Sequence, residues 1–121
     1  MKWNLYFPDF EVPDQIEQMV KNGIIIDTTY PNDSCPSFSS LLSTGLVLSI
    51  RISHPDRKKR TPGCSIRYTL STRNGWEGRP KDIWFTEDLE DAVIEFYSVY
   101  AEHGGQRGKF RLLGLRSPSD G

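Results

Sequence analysis

"LVLSIRIS", residues 46–53, and "SIRYTLS", residues 65–71, decide the fold class. In the first run Leu46, Leu48, Ile50 and Ile52 alternate with Val47, Ser49, Arg51 and Ser53. In the second, Ile66, Tyr68 and Leu70 alternate with Ser65, Arg67, Thr69 and Ser71. A period of two sends successive side chains to opposite faces of a strand. Both runs therefore predict strands with one apolar face and one Ser/Thr/Arg face. Joined by a loop of about ten residues, they make an antiparallel hairpin whose polar face is open to solvent or to a partner.

Downstream, "TRNGWEGRPKD" (72–82) carries Asn74-Gly75, a strong turn signal, before a third strand around 83–85. Thr86 is placed to cap a helix, with Glu87 and Asp88 in its first turn, where the helix dipole favours anions. Leu89, Ala92, Val93, Phe96, Val99 and Tyr100 form one apolar stripe, His103 falls in the last turn and Gly104 ends the helix. "KFRLLGLR" (109–116) predicts a last strand, and 117–121 a frayed tail.

Upstream, the alternation of Trp3, Leu5 and Phe7 with Asn4 and Tyr6 predicts a short strand ended by Pro8. Ile16, Met19 and Val20 at i, i+3, i+4, with Pro13 ahead and Gly23 behind, predict a helix over 13–22. The β-branched run at 23–29 predicts a buried strand or extended segment. Residues 30–40, "YPNDSCPSFSS", read as a long irregular loop, a length often associated with function.

These elements define an α+β chain: an antiparallel or mixed sheet of 4–6 strands with two helices packed on one face, forming a single domain over 1–116 and a tail over 117–121. At 121 residues the chain can bury one sizeable core. No apolar run approaches the roughly 20 residues that span a bilayer, so no membrane partner is expected. The N-terminal stretch has no apolar leader pattern, which places the protein in the cytoplasm. Cys35 and Cys64 lack metal-motif spacing and are expected to be buried and reduced rather than bridged.

The net charge of −1 conceals strong segregation. Residues 51–81 carry nine basic and two acidic side chains, whereas 82–102 carry seven acidic and none basic. Such blocks bear on partners more than on fold. Arg57, Lys58, Lys59 and Arg60 sit consecutively in the hairpin loop, as a solvated turn or a docking surface.

Catalytic constellations fail one by one. A nucleophile needs a base held within hydrogen-bond reach, yet the histidines are only His54 and His103, and no recognisable protease or hydrolase signature is present. Cys64 facing His54 across the loop is the nearest approach. Positions 35, 54, 64 and 103 lack the close ligand pairs of a structural zinc site. "HGGQRGKF" (103–110) follows a helix instead of opening one, so it is no phosphate loop. The carboxylates of 87–95 share one wet helix face, unlike a catalytic pair in contrasting environments. No catalytic residue, metal or cofactor is assigned.

The reading that remains is a small non-catalytic protein-binding domain of bacterial or phage type, acting as an inhibitor, immunity protein or adaptor. Arg57, Lys58, Lys59 and Arg60 would steer the encounter, Trp76 would anchor it, and Asp33, Ser34 and Phe38 of the irregular loop would add contacts. Trp84, between Ile83 and Phe85, is expected on the polar side of its strand. Alternatives are a nucleic-acid module using the basic loop, with Arg51, Arg67 and Arg73 nearby and Tyr68 and Trp76 for stacking, self-association through the opposed charge blocks, and a small enzyme of unknown class. The docking reading requires that residues 57–60 and the acidic helix occupy separate surfaces.

Overall fold

The computed structural model describes residues 2–104. Five strands form one antiparallel sheet in sequence order: β1 (Ile26–Asp27), β2 (Ser37–Leu41), β3 (Leu46–Ile52), β4 (Tyr68–Asn74) and β5 (Lys81–Thr86). Three helices complete the α+β arrangement: α1 (Lys2–Tyr6), α2 (Asp14–Lys21) and α3 (Leu89–Glu102). The predicted strand over 109–116 and the tail lie outside the described residues.

The hairpin has the predicted polarity. Ile50 of β3 stands opposite Phe38 of β2 and Leu70 of β4. These side chains join Ile16 and Met19 of α2 and Ala92, Val93, Phe96 and Tyr100 of α3 in one buried cluster. Both longer helices thus cover the same face of the sheet. Ser49, opposite Ser39 and Ser71, belongs to the other face.

Several expectations change, and α3 is capped by Asp88, whose carboxylate accepts from the Asp91 N–H, instead of by Thr86. Residues 2–6 are helical, not extended, because Trp3, Tyr6 and Phe7 also satisfy helical spacing. The Trp3 N–H donates to Asp27 Oδ2 at 2.9 Å, which fastens α1 to the end of β1. The loop at 30–40 ends early, since Ser37–Leu41 is a full strand. Its serines suit a strand there because the hydroxyls of Thr28, Ser39 and Ser49 form a cross-strand ladder, at 2.8 and 2.7 Å. A bulge at Ile83 separates the pairs Leu70↔Trp84 and Ser71↔Asp82. It turns Trp84 to the helix side, where its Nε1–H reaches Asp91 of α3 at 3.3 Å.

The C-terminus of α3 packs on the β2–β3 turn, and Gly104 permits it. Its φ of +87° is left-handed, and a Cβ there would strike Ser43 Oγ.

Phe38 is fully buried at the centre of the sheet, so it is a core residue and not a partner contact. Phe38→Ala is expected to cost about 3–5 kcal/mol in urea unfolding. Leu41→Ala, on an exposed side chain three residues along the same strand, should change stability by no more than about 0.5 kcal/mol.

Candidate functional site

The basic loop folds into two short 3₁₀ turns, Arg57–Lys59 and Pro62–Cys64. Asp56 caps the first, its carboxylate accepting from the Lys58 N–H at 3.0 Å. Arg60 then turns inward, with its side chain only 4 % exposed. Its Nε donates to the His54 carbonyl at 2.6 Å, and Nη1 donates to the Ser65 carbonyl at 3.1 Å and to Glu87 Oε2 at 2.9 Å. Arg57 pairs with the same carboxylate at 3.6 Å. The Arg67 backbone N–H donates to Glu87 Oε2 at 3.0 Å.

The positive and negative blocks therefore meet at Glu87 instead of occupying separate surfaces. Arg60 is a structural residue, and Arg57 is drawn to the same carboxylate, which leaves Lys58 and Lys59 as the exposed cations of the run that carry no such pairing. Partial desolvation works to raise the Glu87 carboxyl. The hydrogen bonds from Arg60 and from the Arg67 backbone, with the charges of Arg60 and Arg57, outweigh it and hold the group below its ordinary range.

Arg67, flanking the loop, is likewise spent inside the fold. It donates to the carbonyls of Ser53 and Glu11 and lies over the Tyr68 ring. His54 does not face Cys64. Its Nδ1 accepts from the Asp56 N–H at 2.9 Å, and its ring packs edge-on against Phe10. Among the described residues, no group of three or more His, Cys, Asp or Glu side chains is arranged to hold a metal ion.

The open face of the sheet forms a cleft of about 400 Å³. Its floor is Ser37, Ser49, Ser71, Arg51 and Arg73; Asp33, Ser34 and Cys35 of the β1–β2 loop and Cys64 of the β3–β4 loop wall it. Arg51 is held by Asp82 of β5 at 3.0 Å, while its buried Nε has no hydrogen-bond partner among the described residues. Arg73 lies over the Trp76 ring, 5.3 Å from its centre. Tyr30 and Trp76 stand at the margins, 59 % and 42 % exposed.

Of the residues singled out from sequence, Asp33 and Ser34 therefore line the cleft and Trp76 stands beside it through Arg73. Arg57, Lys58, Lys59 and Arg60 lie on the same β3–β4 loop as Cys64 but do not line the cleft. Arg51 and Arg73 were read only as neighbours of the basic loop, and neither Tyr30 nor the contact between Cys35 and Cys64 was expected. The hairpin register held the signal for the arginines, since both fall on its polar face. The cysteines become neighbours only once β2 is recognised, because Ser37 and Thr69, which follow the two loops, both stand opposite Arg51.

A lowered pKa in the folded state means that ionised Glu87 stabilises the fold above the unfolded value near 4.5, and that this contribution disappears as pH falls through the lower folded value. Glu87→Gln should cost about 1–2 kcal/mol at pH 7, chiefly by leaving the buried Arg60 guanidinium unpaired. Urea unfolding measured from neutral pH down to about pH 3 should show the two proteins converging as the wild-type carboxylate is protonated. The chain matches no protein-family model, no curated protein and no solved structure.

Proposed function

We propose that this chain is a non-catalytic protein-binding domain that takes an acidic segment of a partner protein into the polar cleft of its sheet. The observation that carries the reading is Arg51. It lines the cleft, and among the described residues its buried Nε–H has no acceptor, whereas buried donors in native proteins are almost always hydrogen-bonded. A carboxylate accepting from Arg51 and Arg73 would form charge-assisted hydrogen bonds, the strongest class available to such a face. Tyr30 and Trp76 beside it supply the residue types that dominate binding hot spots.

The docking surface is thus moved from the basic loop to the sheet. Lys58 and Lys59 keep a role in steering the encounter. No helix among the described residues is long and apolar enough to cross a membrane, and the free thiols of Cys35 and Cys64 suit a reducing compartment such as the cytoplasm.

Affinity capture with three forms of the protein tests this. Wild type and Lys58→Ala/Lys59→Ala should retain the same partner protein, the latter with slower association. Arg73→Glu/Trp76→Ala should lose it by about thirtyfold or more. Equal retention by all three forms, or recovery of no protein, overturns the proposal. Nucleic-acid binding that collapses between about 50 and 200 mM salt and depends on Lys58 and Lys59 would favour the alternative module instead.

A further inference from the structure

We propose that Cys35 and Cys64 form a redox-modifiable dithiol that a small hydroperoxide, hydrogen peroxide being the simplest, converts into an intramolecular disulfide across the wall of the cleft. Two loops bring the thiols together from 29 positions apart, and their sulfurs lie 2.9 Å from one another. Both are free, and they are only 2 % and 6 % exposed. Both nevertheless line the cleft, so a small oxidant has a route that a bulky one lacks.

The pair is chemically unequal. The hydrogen bond from Cys35 and the charge of Arg51 stabilise the Cys64 thiolate against desolvation and lower its pKa to about 7. The same hydrogen bond, joined by burial, pushes the Cys35 thiol up. Cys64 is also the more exposed of the two, so it is assigned as the attacking sulfur and the more deeply buried Cys35 as the resolving one.

In the first step the Cys64 thiolate attacks one peroxide oxygen. The O–O bond breaks, an S–O bond forms, and the departing alkoxide or hydroxide takes a proton to leave as alcohol or water. In the second step the Cys35 sulfur attacks the Cys64 sulfenic acid. The S–O bond breaks, the S–S bond forms, and hydroxide leaves with the Cys35 proton as water. Two thiols are oxidised and one peroxide is reduced. A dithiol reductant reverses the bond by exchange.

The bond would tie the β1–β2 loop to the Pro62–Cys64 turn, and so fix one wall of the cleft. This holds whether or not the cleft receives a partner.

Peptide mapping of the full chain after hydrogen peroxide decides the matter. Arg51 and Arg60 lie between the cysteines, so trypsin separates them unless they are bridged. The expected result is a linked Cys35–Cys64 fragment lighter by two hydrogens, abolished by dithiothreitol. The melting temperature should rise by roughly 10 °C on bridging. Oxidation should speed up about tenfold between pH 6 and pH 8 and then level off. Cys35→Ser should instead leave a sulfenic acid on Cys64 that dimedone traps; if that variant does not fold, the wild-type map still decides. Two free thiols after peroxide, sulfinic acid on Cys64 beside an untouched Cys35, or a bridge between two chains would each overturn the proposal.

Discussion

The Glu87 carboxylate is the point on which the rest of the arrangement turns. It sits between the end of β5 and the start of α3, and it collects the Arg60 guanidinium, the more distant Arg57 and the Arg67 backbone N–H. Arg60 itself is buried, so the pair belongs to the class whose disruption is costly. Glu87 therefore does three things at once. It ties the long β3–β4 loop to the end of β5, accepts the Arg67 backbone N–H, and neutralises part of the basic run locally. A charge pattern that looks in sequence like two opposed surfaces is, in space, partly a single hydrogen-bonded junction.

Legibility follows the period of the hydrophobic pattern. The β3–β4 hairpin and α3 were readable because seven- and fourteen-residue elements repeat their period enough times to exclude alternatives. Residues 2–7 were misread because Trp3, Leu5 and Phe7 fit a period of two while Trp3, Tyr6 and Phe7 fit a helical turn, and the Asp27 acceptor for the Trp3 backbone N–H favours the second. β2 was missed because serine is a poor strand former on its own, and the ladder that rewards it involves Thr28 and Ser49, distant in sequence. Trp84 was sent to the wrong face by one inserted residue, since a bulge inverts every inference drawn from alternation beyond it. Within the candidate site, Asp33 and Ser34 were found from composition, whereas Arg51 and Arg73 needed the register and the cysteine pair needed the tertiary fold.

The same ladder shapes what the cleft can recognise. Ser39 shares its hydroxyl with both Thr28 and Ser49, and Thr28 also reaches Ser37. Hydroxyls that already satisfy one another have little left for a ligand, and breaking them open would cost what a new contact returned. Discrimination therefore falls to the groups outside the ladder. Foremost among these are the guanidinium of Arg51, restrained by Asp82, and that of Arg73, stacked over Trp76. Both are cationic and both are planar donors, which match a carboxylate better than a neutral polar group. The charge of Arg51 that would hold an acidic side chain also favours a thiolate at Cys64. In the two proposals one arginine would therefore set both the anion preference of the floor and the reactivity of the wall, so the two would share a single physical origin.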